Sequence, residues 1–245
     1  MPAKYSNRAR CLLAFDTAGT ACSAAIWRDG TVCARQFEAM SRGQSERLVP
    51  MIEAVMNEAG IAYPALDAIA VTCGPGGFTG VRIGLATARA LALACARPVI
   101  GISNFEAIAA AVPEDARAGR RLAVVIDAKR SDIYIQALGP DLEPVTPARA
   151  IAPKDLGAFL PEGPLLLAGD AVDTALAALE AAGRDAVAAA APGRADAGVF
   201  AALAAARPLP AAGTPPPGPI YLRGPDVTLE PRPGRDLRGE PGAAP

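Results

Sequence analysis

Residues 11–27 read CLLAFDTAGTACSAAIW, and the rest of the chain is interpreted from this stretch. Cys11 to Phe15 is a short unbroken apolar run, as a strand buried on both faces makes. Asp16-Thr17-Ala18-Gly19-Thr20 supplies small turn residues, and Cys22 to Trp27 is a second apolar run. Two such runs joined by turn residues predict a hairpin set in a core. Asp29-Gly30 signals a further tight turn, and Thr31 to Glu38 follows as a third strand. The chain opens as a three-stranded meander.

Beyond the meander the period changes. Leu48, Met51, Ile52, Val55 and Ala59 recur at helical spacing, with Gly60 as the stop, Ser45 as the expected cap and Pro50 in the first turns. Asp67 to Thr72 reads as a fourth strand, Val81 to Cys95 as a long helix, Pro98 to Ile102 as a fifth strand and Asn104 to Ala111 as a helix. The order βββαβαβ predicts an α/β mixed sheet covered by helices. Between Val112 and Arg121 the composition turns to proline, charge and glycine, marking a border. Leu122 to Asp127, a polar turn and Ile133 to Leu138 then repeat the opening pattern. A strand at Pro164 to Asp170 and helices at 172–182 and 197–206 follow. Two related domains are expected, 1–111 and 112–224. The end of the chain is proline-rich, with 11 of the 24 prolines from Pro208 onward. Residues 225–245 are expected to be a disordered tail, while Ile220 to Arg223 form an apolar patch that ties the end back.

Charge and residue usage narrow the chemistry. Twenty-four basic and 25 acidic residues leave a net charge of -1, so no overall basic field draws this chain to nucleic acid. Histidine is absent from all 245 residues, which removes the usual neutral-pH base, the Ser-His triad and histidine metal sites. The five cysteines lack CxxC spacing and read as free thiols of a reducing compartment. The apolar run after the first ten residues is too short for a signal-peptide core. No stretch reads as a membrane span, because the alanine-rich parts carry charges and prolines. A soluble cytoplasmic protein is expected.

Two segments carry candidate chemistry. Asp16 to Ser23 is open to three readings: a plain hairpin, a phosphate-binding hairpin, or a relic of one, with Asp16, Thr17 and Thr20 as its polar groups. Gly74 to Gly84, GPGGFTGVRIG, lacks the lysine and hydroxyl of a P-loop. Its Arg82 is either an anion contact near a helix start or a solvated side chain. Gly80, Gly84 and Ala88 recur every four residues and share a bare helical face. Glycine in a helix costs roughly 1 kcal/mol relative to alanine, so close packing should offset it. Within the chain, the packing partner would be the Ser45–Ala59 helix or the sheet; the competing reading is that the helix pair also meets a second protein. The apolar residues of the preceding helix, Leu48, Met51, Ile52, Val55 and Met56, are open to the same two readings.

The combination of LLAFDTAGTACSAAI, QSERLVPMI (44–52), CGPGGFTGVRIGLATARALA (73–92), VIDAKRSDIY (125–134) and PIYLR (219–223) resembles the bacterial TsaB family of tRNA threonylcarbamoyladenosine biosynthesis. The resemblance is densest in the first hundred residues and loose in the alanine-rich middle. Gln44 departs from the histidine frequent in that family. The resemblance implies an actin-like ATPase (ASKHA, ribonuclease H-like) fold with two related domains. It implies a non-catalytic subunit that pairs with the transferase TsaD, is joined by the ATPase TsaE, meets tRNA only through the complex, and forms a homodimer when alone. The alternative is an ATP-hydrolysing or threonylcarbamoyl-transferring enzyme of the same superfold. Pairing is expected through Leu48, Met51, Ile52, Val55, Gly80, Gly84, Thr87, Ala88 and Leu91, so that Gly84→Leu would abolish it and leave the monomer mostly folded. Asp16, Thr17, Thr20 and Arg82 remain as an anion or relic nucleotide site. No cofactor is expected in the isolated chain, although a nucleotide at the subunit junction is compatible with the resemblance. In TsaD a His-x-x-x-His segment binds metal. Here Asn104 and Ile108 stand in those places, and isoleucine cannot ligate an ion.

Overall fold

A computed structural model describes residues 10–211 and 213–223. The expected tail, 225–245, lies outside the described residues. The first sheet contains β1 (Cys11–Asp16), β2 (Ala21–Arg28), β3 (Thr31–Ala39), β4 (Ala68–Thr72) and β5 (Val99–Ile102), in the order β3-β2-β1-β4-β5. β1–β2 and β2–β3 are antiparallel; β4 runs parallel to β1, and β5 parallel to β4. The second sheet contains β6 (Arg121–Asp127), β7 (Ile133–Leu138), β8 (Arg149–Ile151), β9 (Leu165–Ala168) and β10 (Ala186–Ala188), in the order β10-β9-β6-β7-β8. It repeats the same plan: a central strand, an antiparallel meander on one side and two parallel strands on the other. The duplicated topology expected from the two hairpins is present, and the fold is the actin-like, ribonuclease H-like one.

β1 is buried at every position because both its faces are covered. Alternate residues Leu13 and Phe15 enter a core under α1 (Gln44–Ala59) and α2 (Phe78–Cys95). Leu12 and Ala14 enter a second core under α6 (Ala197–Ala206), whose Phe200 is fully buried. This period of two is why the strand reads as a continuous apolar run. α6 therefore follows the second sheet in sequence yet packs on the first. In exchange, Phe105 and Ile108 of α3 (Asn104–Ala109) pack with Leu122, Val124 and Leu166 of the second sheet. Asp196 caps α6, accepting from Gly198 N at 2.9 Å, and pairs with Arg35 of β3. The remaining helices, α4 (Leu156–Phe159) and α5 (Val172–Ala181), cover the far face of the second sheet.

Several boundaries moved. α1 starts at Gln44 from Gly43, whose φ of 90° suits glycine, so Ser45 lies inside the helix and does not cap it. Pro50 then sits in the second turn, where its missing N–H leaves one carbonyl of the preceding turn without its helical donor. α2 starts three residues before the expected Val81, which puts Gly80 in its first turn. α2 is also long and apolar enough to cross a membrane by length and composition, although charge had argued against any such stretch. It lies along the first sheet with Val81, Gly84, Leu85 and Ala88 buried.

Candidate functional site

The opening hairpin and the glycine segment meet. Gly77 N donates to Ala18 O at 2.7 Å, and Thr17 Oγ1 donates to Gly80 O at 2.8 Å. A Cβ on Gly76 would lie 2.3 Å from Ala18 O, one on Gly80 2.1 Å from Thr17 O, and one on Gly84 2.9 Å from Thr17 Oγ1. The bare face of α2 is therefore filled by residues 17–18 of the same chain. The intrachain reading describes these glycines, but their main packing partner is the β1–β2 turn rather than α1, with the sheet contributing Val71, 3.3 Å from a Cβ at Gly84.

This packing turns the hairpin inward. Asp16 is fully buried; its Oδ1 accepts from Thr72 Oγ1 and from Ala18 N, and its Oδ2 has no partner. Burial pushes its carboxyl up to about 6, against the opposing hydrogen bonds from Thr72, Ala18 and Gly19. The amides that would cradle a phosphate at this turn instead face the Asp16 carboxylate. Thr20 Oγ1 accepts from Arg194 Nε at 2.9 Å. Arg82 lies elsewhere, its Cζ 3.4 Å from the Phe78 ring centroid and its Nε donating to Tyr221 Oη at 3.0 Å. The four residues named for an anion site thus do not converge on one space.

Leu48, Met51, Ile52 and Val55 are at most 1% exposed and face the first sheet, and Ala88 is buried beside them. Leu91 is half-buried against the same core, and Thr87 is half-buried. The residues named for pairing thus form the chain's own core and its margin. Helical periodicity marks an apolar face without saying what covers it. The outer faces carry different residues: Val49, Pro50, Glu53 and Asn57 on α1, and Thr79, Ala86, Ala90, Leu93 and Ala94 on α2. Leu93 is 86% exposed. The available signal was that Ala86, Ala90, Leu93 and Ala94 extend the apolar surface of α2 beyond what one buried face requires. Gly84→Leu would strike Thr17 and Val71 within the monomer, so it cannot isolate pairing as expected.

Other candidate chemistry is sparse. Asn104 and Ile108 lie one turn apart on α3, both buried, with Asn104 Oδ1 unpartnered. Among the described residues no three His, Cys, Asp or Glu side chains are grouped as metal ligands. All five cysteines are free. Burial pushes Cys22 up to about 12 and Cys73 up to about 11, so neither is a ready nucleophile at neutral pH.

Residues 37–166, from β3 into β9, match the family model described as TsaD: tRNA N6-adenosine threonylcarbamoyltransferase. The chain belongs to this family. Within it the chain resembles TsaB of Escherichia coli K12, with 42% identity over 123 residues, covering 50% of this chain and 52% of that protein. A tRNA N6-adenosine threonylcarbamoyltransferase of Erythrobacter litoralis is 54% identical over 69 residues, covering 28% of this chain and 20% of that one. The match thus spans about half the length of the TsaB relative and less of the transferase. Among solved structures, a Pseudomonas aeruginosa protein described as uncharacterized, with similarity to peptidase YEAZ, superposes with a TM-score of 0.70 at 28% identity. The superposition covers 87% of this chain and 100% of that one.

Proposed function

We propose that this chain is the non-catalytic subunit of a cytoplasmic complex that makes N6-threonylcarbamoyladenosine in tRNA. It pairs with the transferase TsaD, and the ATPase TsaE joins the pair. The family match supports the pathway. The observation that carries the pairing is the outer face of α2, apolar and uncovered although the helix already buries its opposite side. The same face would join two copies when the partner is missing. A turn whose amides face its own buried carboxylate supports a subunit without turnover of its own.

Leu93→Asp tests this reading. Leu93 is exposed, so the melting temperature should stay near that of the parent chain. Co-elution with TsaD, followed by light scattering, should fall by tenfold or more in affinity. Unchanged co-elution would remove the outer face from the interface. Threonylcarbamoylation of tRNA by the purified chain alone would overturn the non-catalytic reading.

A further inference from the structure

α2 presents a second surface on a different flank. At 3.6 residues per turn, Phe78, Arg82 and Arg89 fall within about 40° of one another, roughly 80° round from the line of Thr79, Ala86 and Ala90. Beside this flank runs the strap 215–223. Ile220 N donates to Cys73 O at 2.7 Å, and Pro217 O accepts from Arg89 at 2.9 Å. Ile220 packs against the first core and Leu222 against the core between the sheets. Tyr221, between them, is 47% exposed. Its ring stacks on Phe78 at 5.9 Å between centroids and 26° between planes, and Phe78 is 57% exposed. The Arg82 guanidinium, 3.4 Å from the Phe78 centroid, is held in place by its bond to Tyr221 Oη. No acidic residue occurs between Cys73 and Arg97 or between Arg207 and Arg223. Arg82 and Arg89 therefore make this aromatic patch basic, while Arg223 at the end of the strap is paired with Asp132 at 3.6 Å.

We propose that the Phe78–Arg82–Tyr221 stack is an RNA contact that takes one unpaired nucleobase on its ring and guanidinium planes, with Arg82 and Arg89 facing the adjoining phosphates. The assignment of the RNA to tRNA rests on the proposed function. Exposed rings with a fixed guanidinium suit a flat, sequence-tolerant ligand, and the arginines suit its backbone. An acidic protein segment fits less well. It would answer the arginine charges but leave the exposed Phe78 and Tyr221 rings without a flat partner.

The test uses the full chain assembled with TsaD. The probes are an unmodified tRNA with adenosine beside the anticodon and a ten-nucleotide single-stranded RNA, read by fluorescence anisotropy and ultraviolet crosslinking. Tyr221→Ala and Phe78→Ala should each weaken RNA binding about tenfold. Arg82→Lys, which keeps the charge and loses the plane, should weaken it severalfold. Tyr221→Phe, which keeps the ring and loses only the hydroxyl that fixes Arg82, should weaken it less than Tyr221→Ala does. Crosslinks should map to 78–89 or 217–223. Light scattering should show pairing intact in every variant. Unchanged RNA affinity with intact pairing overturns the proposal, as does lost pairing with unchanged RNA binding, which would make the patch a protein contact. If the parent chain fails to pair, the partner reading falls. Crosslinking of the oligonucleotide to the isolated full chain then decides this proposal, an unlabelled patch overturning it.

Discussion

Gly80 shows how a residue's effect can reverse sign with its surroundings. By propensity alone, Gly80→Ala should stabilise α2 by about 1 kcal/mol. Its Cβ would instead lie 2.1 Å from a backbone oxygen of the hairpin, which cannot swing away. The expected outcome is a loss of about 1–3 kcal/mol in urea unfolding; a gain would mean that α2 does not rest on the turn. Asp16 gives a pH signature. Its carboxyl titrates at about 6 when folded and near 3.8 otherwise, because burial disfavours the charge. Below pH 4 both states are protonated and nothing is lost. Between pH 4 and 6 the unfolded chain ionises first, and above 6 the folded state carries a penalty of roughly 3 kcal/mol. Asp16→Asn mimics the protonated form. Relative to the parent it should gain about that amount between pH 4 and pH 7 in paired denaturation curves. A pH-independent difference would contradict a buried, unpaired Asp16 Oδ2.

At the scale of elements, alanine-rich helices are placed by what they can approach. α6 offers Ala197, Ala201 and Ala204 to the first sheet and anchors itself with Phe200. Phe200→Ala should cost about 3–5 kcal/mol in unfolding free energy. In hydrogen exchange the loss of protection should appear in β1 and β2, where α6 packs, more than in β6 and β9. The opposite pattern would return α6 to the second sheet. The proposed pairing is also tested at this scale. α1 puts Leu48, Met51, Ile52, Val55 and Met56 into the core, so Leu93→Asp on the outer face of α2 is the substitution expected to separate the proposed association from folding.

At the scale of the molecule, the two halves are held by exchange as well as by contact. α3 serves the second sheet, α6 serves the first, and the strap enters both cores through Ile220 and Leu222. Arg223 adds an ion pair to Asp132 at 3.6 Å. Burying a charge at position 220 should release the strap, so Ile220→Asp should be cut by protease within 207–219 about tenfold faster than the parent chain. Equal cleavage rates would show that the strap does not depend on that anchor.

The meander, the duplicated plan and the absence of histidine were legible in residue order and composition. Strand periodicity, turn glycines and missing residue types are local properties that survive without coordinates. Legible too was the need for something close to the bare face of α2. What covered that face was not, because a stripe of small residues records a short distance and not the identity of the neighbour. Only the tertiary structure decided that the neighbour is Thr17, that Leu48, Met51, Ile52 and Val55 are core, and that Arg82 meets Tyr221 from 139 residues away. Such contacts depend on how distant segments are brought together, and the local pattern of a chain does not encode that separation.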